Sequence, residues 1–409
     1  MTFNIDTELA QYIQSLGGDL WLVGGAVRDE IMQRPSKDRD YMITGIDIEC
    51  VTFEKVAGKR FPVFLVNIGD TTCEVAMART ERKDGHGRQE FEFFTSKDVT
   101  VGQDLARRDV TINAMAKHVL SGQLIDPFNG QCDITRKILR HTTDAFSEEP
   151  SRVYRVARFA TQLGFSIHPQ TMWRMRDLRY EIPFLSPEIV WQETVKALES
   201  PEPQRYFEIL SNVECLHQFF PELQALHVPD KHDGTSFNHT MTVLPHGKTL
   251  MQRFGLLVHD FGKGRTPVEN HPSHFDHDQL GVDPVNEMCD RLRIPNIYRD
   301  FGVTCAREHM RVKRALQMKP GKFLRWVLQN EQIIKQLNEV SYIDSAYREG
   351  GDIKRSQAFR CQVNRRINAA LRTKKDMTGA MLIVEGYTPG KVFGDILFQR
   401  RVEMFKQLM

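Results

Sequence analysis

Residues 19–45 read DLWLVGGAVRDEIMQRPSKDRDYMITG. DLWLV is a short apolar run that reads as a strand, Gly24-Gly25 as a turn, AVRDEIMQ as a helix and DRDYMITG as a second strand. Two glycines ahead of a helix start let backbone amides come close to a phosphate. Asp38 and Asp40 lie two apart on the second strand and so share a face. Paired carboxylates can hold two magnesium ions ~3.5–4 Å apart, one activating a hydroxyl and one steadying a triphosphate. Glu74, in the apolar run CEVAMART, is the candidate third carboxylate from a neighbouring strand. Alone, a Gly-Gly pair is usually a turn and an Asp-x-Asp a solvated edge. Their order and spacing together point to phosphoryl transfer.

Outward from this stretch, FPVFLVNIG, CEVAMAR and FEFFTS read as further short strands, giving mixed α/β character up to about residue 145. The polar stretch TERKDGHGRQE (80–90) reads as a mobile loop between two strands. The residues before DLWLV look helical and carry no functional signal. Helical periodicity then takes over. SRVYRVARFATQLGF places apolar residues at 153, 156, 159, 160 and 163, one face of an amphipathic helix. Ser147 followed by Glu148 and Glu149 reads as its start, a capping hydroxyl with carboxylates at the positive dipole end.

The chain has 409 residues, enough for two or three domains, with 41% hydrophobic and 26% charged residues, the balance of a globular protein with a real core. No apolar run approaches the ~20 residues of a membrane span, and the first ten residues do not resemble a secretion signal. Seven scattered cysteines without a CxxC pair argue against a disulfide framework or thiolate zinc site. A cytoplasmic protein is expected. The net charge of +2 is uneven: residues 311–409 carry 20 Lys/Arg and 9 Asp/Glu, a local net of +11, leaving −9 for the rest. A basic last quarter fits either a surface that meets a polyanion or a solvated helical face.

LVGGAVRD, DRD, ARTERK, LARRDVTINAMA (105–116), LIDPFNG (124–130) and EEPSRVYRVARFA (148–160) resemble the successive motifs of a class II tRNA nucleotidyltransferase, the CCA-adding family. Bacterial poly(A) polymerases share the same head. The resemblance is sharpest over 20–165 and matches best the bacterial form with an appended HD phosphohydrolase domain. It implies an α+β fold: a polymerase-β-like palm in the head (1–145), a helical neck with a nucleotide-selecting helix (146–225), an HD body (226–345) and a basic helical tail that binds tRNA (346–409). Asp38 and Asp40 would ligate Mg²⁺, with Gly25 and Arg28 against the triphosphate. Arg108 and Asp109 would contact the nucleotide, plausibly its ribose, although a surface ion pair would explain the same residues. Asp126 in DPFNG reads equally well as a turn aspartate.

In the family, base choice rests on a Glu-Asp-x-x-Arg motif, whose carboxylate accepts the amino group of C or A while the guanidinium donates to the neighbouring ring nitrogen. Here the motif reads Glu148-Glu149-Pro150-Ser151-Arg152. The extra methylene of Glu149 moves the carboxylate by roughly one C–C bond, ~1.5 Å. C/A choice is therefore expected to persist with reduced fidelity. Arg152, Arg155 and Arg158 recur every three residues as a basic stripe suited to a triphosphate or a base edge.

A second constellation lies beyond residue 235. His239 in FNHTM, His259-Asp260 in LLVHDFGKG and Asp344 in YIDSAYREG follow the His…His-Asp…Asp order of an HD metal centre. Such an ion lowers the pKa of bound water for phosphoester hydrolysis. His271, His274 and His277 crowd the following loop, and His309 is followed by Met310, so it does not repeat the pair. The resemblance implies a divalent metal here (Ni²⁺, Mn²⁺ or Mg²⁺) with phosphatase and 2′,3′-cyclic phosphodiesterase activity. The expected reaction of the head is template-independent addition and repair of the 3′-terminal CCA of tRNA from CTP and ATP, releasing pyrophosphate. Poly(A) synthesis or partial CC- or A-addition is the alternative. The densest basic cluster of the tail, RRINAALRTKK (365–375), is the expected path of the tRNA backbone. Oligomeric state is not legible in the sequence.

Overall fold

The computed structural model describes residues 2–36, 39–51, 53, 56–57, 63–83 and 91–409. Asp38 lies outside the described residues, as does 84–90 of the expected loop. The chain divides into two compact units, Met1–Ala197 with Ile209–Gln218, and Leu198–Glu208 with Phe219–Met409. The segment expected as a neck, 146–225, contributes to both.

Among the described residues up to 125 there are ten short strands: β1 (Thr2–Phe3), β2 (Asp19–Val23), β3 (Asp40–Thr44), β4 (Val56–Ala57), β5 (Val63–Ile68), β6 (Thr71–Met77), β7 (Arg79–Lys83), β8 (Phe91–Thr95), β9 (Ala116–His118) and β10 (Leu124–Ile125). Eight of them make one mixed sheet in the order β1-β5-β6-β3-β2-β9-β10, with β4 on β5. Strand alternation sorts side chains into two layers. On one face, Leu20, Tyr41, Ile43, Phe64, Val66 and Val75 pack with Leu9, Ala10 and Ile13 of α1 (Asp6–Ser15). On the other, Trp21, Val23, Met42 and Ala116 pack with Val101 and Leu105 of α3 (Val101–Ala106). Between α1 and α3, α2 (Gly25–Ile31) follows β2 directly. The loop expected over 80–90 starts later than the composition suggests, because β7 pairs antiparallel with β8, Arg79 opposite Thr95 through Lys83 opposite Phe91. Ladder pairing overrides a polar composition of weak strand propensity.

After α4 (Gly130–Arg136), α5, the helix expected to select the nucleotide, runs Arg152–Leu163 and ends at Gly164 in the left-handed region. Ser147 does not cap it. A 3₁₀ turn spans Asp144–Glu148, where Thr143 Oγ1 accepts the Ala145 N–H. Glu149 is extended (φ −118°, ψ 97°), because a residue before proline is disfavoured in the α region. Pro150 therefore delays the helix by a turn. Remaining helices of the first unit include α6 (Pro169–Asp177); α7 (Pro187–Leu198) and α8 (Gln204–Asn212) follow.

The second unit is helical: α9 (Pro221–Gln224), α10 (Ser236–Val243), α11 (Leu250–Val258), α12 (His277–Leu280), α13 (Val282–Arg291), α14 (Asn296–Val312), α15 (Pro320–Gln329), α16 (Ile334–Tyr347), α17 (Ile353–Asp376), α18 (Gly379–Val384) and α19 (Lys391–Leu408). Thr235 and Thr249 cap α10 and α11 through their hydroxyls. Gly255 on α11 has no room for a side chain: a Cβ there would lie 2.7 Å from Phe301 of α14 and 3.1 Å from Val340 of α16. That close approach draws three helices together at the metal-ligand candidates. No helix is long and apolar enough to cross a membrane among the described residues. All seven cysteines are free.

Candidate functional site

Strand register assembles the first site. Val23, which leads into Gly24-Gly25, pairs with Asp40, and Asp40 pairs with Glu74 on the parallel neighbour β6. Asp40 and Glu74 are both exposed, and they share the sheet face of Met42, opposite Tyr41 and Ile43. Two hard oxygen donors on adjacent strands beside a Gly-Gly turn fit Mg²⁺. Arg39, next to Asp40 in the chain, points to the other face, where its Nη1 donates to both carboxylate oxygens of Asp6 on α1 at 2.9 and 2.8 Å. The helix without a sequence signal thus anchors the start of the acidic strand.

Gly24 has φ +71°, and a Cβ there would meet Arg108 Nη1 at 3.0 Å, so only glycine fits comfortably. Arg108 and Arg107 both donate to Asp104, which is buried. Arg28 is buried under the turn, its Nε donating to Asp29 and its Nη1 to Asn113 Oδ1 at 2.8 Å. Asn113 Nδ2 donates to Asp109 Oδ1, and Arg155 Nε donates to Asp109 Oδ2 at 2.8 Å. Burial pushes the Asp109 carboxyl up, but the charge of Arg155 outweighs it and holds it well below the usual range. A chain of hydrogen bonds thus runs Arg28–Asn113–Asp109–Arg155, from the Gly-Gly turn to α5. Asn113 and Asp104 carry no signal in a single sequence, since nothing local marks a polar residue in VTINAMA or on α3 as buried.

The expected basic stripe on α5 is already neutralised. Arg152 is buried and donates to the carbonyls of Ala145 and Arg107, with Glu149 Oε2 3.7 Å from its Nε. Glu149 accepts the Ser151 hydroxyl at 2.8 Å. Arg158 is bonded to Glu193 of α7 and sits over the Phe159 ring, 4.1 Å from its centroid. The stripe is paired because three separate segments bring carboxylates to α5: Asp109 from the loop after α3, Glu149 from just before α5 and Glu193 from α7. Both side chains of the Arg158–Glu193 pair are under 10% exposed, so Arg158→Ala strands a buried charge. The expected cost is ~3–5 kcal/mol, lowering the melting transition of the first unit by roughly 10 °C or more. Calorimetry checks this, and an Arg158→Met, Glu193→Leu double variant should recover most of the loss. Asp126 accepts the N–H groups of Gly130 and Gln131, the turn role.

In the second unit His239, His259, Asp260 and Asp344 come together from α10, the end of α11 and α16, and His277 and His309 join them from α12 and α14. All six are buried. Ligand atoms of His239, His259 and Asp344 lie within 4.8 Å of one another, as do those of Asp260, His277 and His309. Asp260 links the two triplets: Oδ2 lies 3.3 Å from His259 Nε2, while Oδ1 lies 3.5 Å from both His277 Nε2 and His309 Nε2. The structure thus places two histidines, His277 and His309, beside the expected four. His277 and His309 escape a reading of the sequence because lone histidines in separate helices share no spacing.

The proton positions fit a metal centre. Nδ1 of His259 faces the Leu256 carbonyl at 2.7 Å, that of His277 the His274 carbonyl at 2.7 Å, and that of His309 the Ala306 carbonyl at 2.9 Å. His239 Nδ1 meets Asp233 Oδ2 at 2.7 Å. With Nδ1 carrying the proton, the Nε2 atoms of His259, His277 and His309 present lone pairs inward, the arrangement of metal-ligating histidines, whereas His239, with Asp344 Oδ1 3.2 Å from its Nε2, is buried between carboxylates that push its pKa up to about 9. His277 Nε2 and His309 Nε2 then face each other at 3.1 Å, two acceptors that only a shared cation or proton reconciles. His259 Nε2 is buried without a hydrogen-bond partner among the described residues. Burial holds His309 neutral, its pKa pushed down to about 3. Lys263 pairs with Asp260 at 2.7 Å and Lys313 with Asp344 at 2.9 Å, so each of the two ligand carboxylates also has an ammonium neighbour. The six side chains form two groups of three, each of which could hold a divalent ion, with Asp260 lying between them.

The basic cluster of the tail is partly structural. Arg366 donates to the carbonyls of Ala315 and Met318, and Lys374 to Glu331. Arg365 and Lys375 remain exposed on α17.

Comparison with known proteins bears on the family and the fold. The family model of the poly A polymerase head domain matches residues 20–140, and that of the probable RNA and SrmB- binding site of polymerase A matches 164–226. A multifunctional CCA protein of Shewanella frigidimarina is 43% identical over 73% of this chain and 76% of its own length. One of Pseudoalteromonas atlantica is 44% identical over 73% and 77%. Among solved structures, the CCA-adding enzyme of Bacillus stearothermophilus in complex with CTP superposes with a TM-score of 0.66 at 20% identity, covering 98% of this chain and 95% of that one. The Thermotoga maritima CCA-adding enzyme complexed with tRNA gives 0.64 at 18%, covering 99% and 96%. With a mixed α/β head, a helical remainder and these relatives, the chain belongs to the class II CCA-adding family of tRNA nucleotidyltransferases.

Proposed function

We propose that the first unit adds the 3′-terminal CCA of tRNA from CTP and ATP without a nucleic-acid template. The observation that carries this reading is the register Val23–Asp40–Glu74, which sets two carboxylates beside the Gly-Gly turn. Asp40 and Glu74, with Asp38, are the proposed ligands; bound Mg²⁺ supplies charge neutralisation at the triphosphate and acidifies the attacking 3′-hydroxyl. The hydroxyl oxygen bonds to the α-phosphorus, the α–β bridging P–O bond breaks, and pyrophosphate leaves. Gly25, Arg28 and Arg108 line the turn where the triphosphate would lie. Asp109 positions Arg155, so the pair reaches the nucleotide from α5 rather than through a free carboxylate. Glu149 with Arg152 is the proposed base selector.

The second unit is proposed to hydrolyse phosphate esters, including 2′,3′-cyclic phosphates at nucleotide ends. His239, His259, Asp260, His277, His309 and Asp344 would hold the metal, whose Lewis acidity supplies an activated water. Water oxygen bonds to phosphorus, one ring P–O bond breaks, and the freed ribose oxygen takes up a proton. Lys263 and Lys313 border the cavity on the ligand carboxylates and can face the phosphate oxygens.

The test is direct. Purified protein is incubated with a tRNA transcript lacking its three terminal nucleotides, Mg²⁺, and each NTP alone and combined, and the 3′ ends are sequenced. Products ending in CCA are expected, with more misincorporation of G or U than in a Glu149→Asp variant. A long A tail moves the protein to poly(A) synthesis, and a stop at CC to partial addition.

A further inference from the structure

The metal cavity of the second unit, about 270 Å³, has a larger neighbour of about 450 Å³. The same two helices wall both. On α12, His277 lines the metal cavity while Asp278 and Gln279 line its neighbour; on α14, Met310 lines both. The neighbour is basic. Arg307, Arg311 and Arg314 of α14 and its C-terminal extension face it, with Lys322 of α15 opposite. Of its two carboxylates, Glu308 is buried and already bound, accepting from Arg311 at 2.8 Å and from Trp326 Nε1 at 3.1 Å. Arg314 and Lys322 are exposed and form no ion pair among the described residues. Two unspent cations thus face a cavity that opens beside a phosphoester-hydrolysing centre.

A mononucleotide has no use for this second cavity, because its only charged group would occupy the metal centre. A polynucleotide carries a phosphodiester at every step, so a strand ending at the metal centre needs cationic walls one nucleotide upstream. Resting on the hydrolase reading above, we propose that the Arg314–Lys322 cavity is a strand subsite, and that the physiological substrate of the His/Asp centre is the 3′ end of an RNA rather than a free nucleotide. The 2′-hydroxyl that a cyclic phosphate requires makes the strand RNA. The cavity holds the backbone phosphate preceding the reactive terminus.

The experiment compares full-length protein with an Arg314→Glu, Lys322→Glu variant, both metal-loaded. Two probes are used: a short RNA ending in a 2′,3′-cyclic phosphate, and 2′,3′-cyclic AMP. The variant should lose about tenfold or more in kcat/KM on the RNA and keep its rate on cyclic AMP. The slope of log binding constant against log salt should shrink by about 0.7 for each single-strand phosphate that the variant no longer neutralises. Equal kinetics on the RNA, or an equal loss on both probes, overturns the proposal. Should neither probe be hydrolysed by the unsubstituted protein, the hydrolase reading fails by itself. Fluorescence anisotropy of the labelled RNA with metal-free protein then decides the subsite: weaker binding by the variant supports it, unchanged binding overturns it.

Discussion

Asp40→Ala is expected to lower the rate of CCA addition by about 10³-fold or more while leaving the fold and the second unit's hydrolysis intact. Replacing a carboxylate that steadies a triphosphate and the attacking hydroxyl removes several kcal/mol of transition-state stabilisation, and ~4 kcal/mol corresponds to three decades in rate. Asp40 opens β3 at an exposed position, so the structural cost should stay within about 0.5 kcal/mol and the melting temperature should hardly move. Glu74→Gln keeps shape and register and should cost less, about 10–100-fold. Single-turnover extension of a tRNA transcript lacking CCA, measured across a Mg²⁺ titration, separates the two. A variant of Asp40 that still extends RNA at the parental rate would refute the assignment of the acidic strand.

The second large effect concerns Asp260. Because its two oxygens face different triplets, Asp260→Asn should empty both metal positions together. His309→Ala should lose only the position shared with His277. After dialysis against the metal and then buffer, elemental analysis should show close to two ions per chain in the parent, about one in His309→Ala and almost none in Asp260→Asn. Phosphohydrolase activity should fall at least about 10³-fold in Asp260→Asn, with CCA addition unchanged. Asparagine preserves the packing volume, and Lys263 keeps Asp230 at 2.7 Å, so the buried ammonium is not stranded. One ion per chain in the parent would show that the cluster is mononuclear.

What the sequence determined by itself is local. Strand β2, the Gly-Gly turn and helix α2 are legible in DLWLVGGAVRDE because alternation, φ freedom and helical spacing are properties of neighbouring residues. The DxD pattern is legible for the same reason, as is the His259-Asp260 pair. Pro150 is there to be read too, yet the capping signal at Ser147 points to an earlier helix start; the proline's restriction on Glu149 is a local effect that outranks it. What only the tertiary structure decided is which distant groups meet. The parallel pairing of β3 with β6 put Glu74 beside Asp40, and the packing of α5 on its neighbours turned an arginine stripe into ion pairs with Asp109 and Glu193. Five elements converged to add His277 and His309 to the His/Asp cluster. None of these has a period or spacing in the chain, because burial of apolar faces chooses the partners and the polar side chains follow where packing puts them.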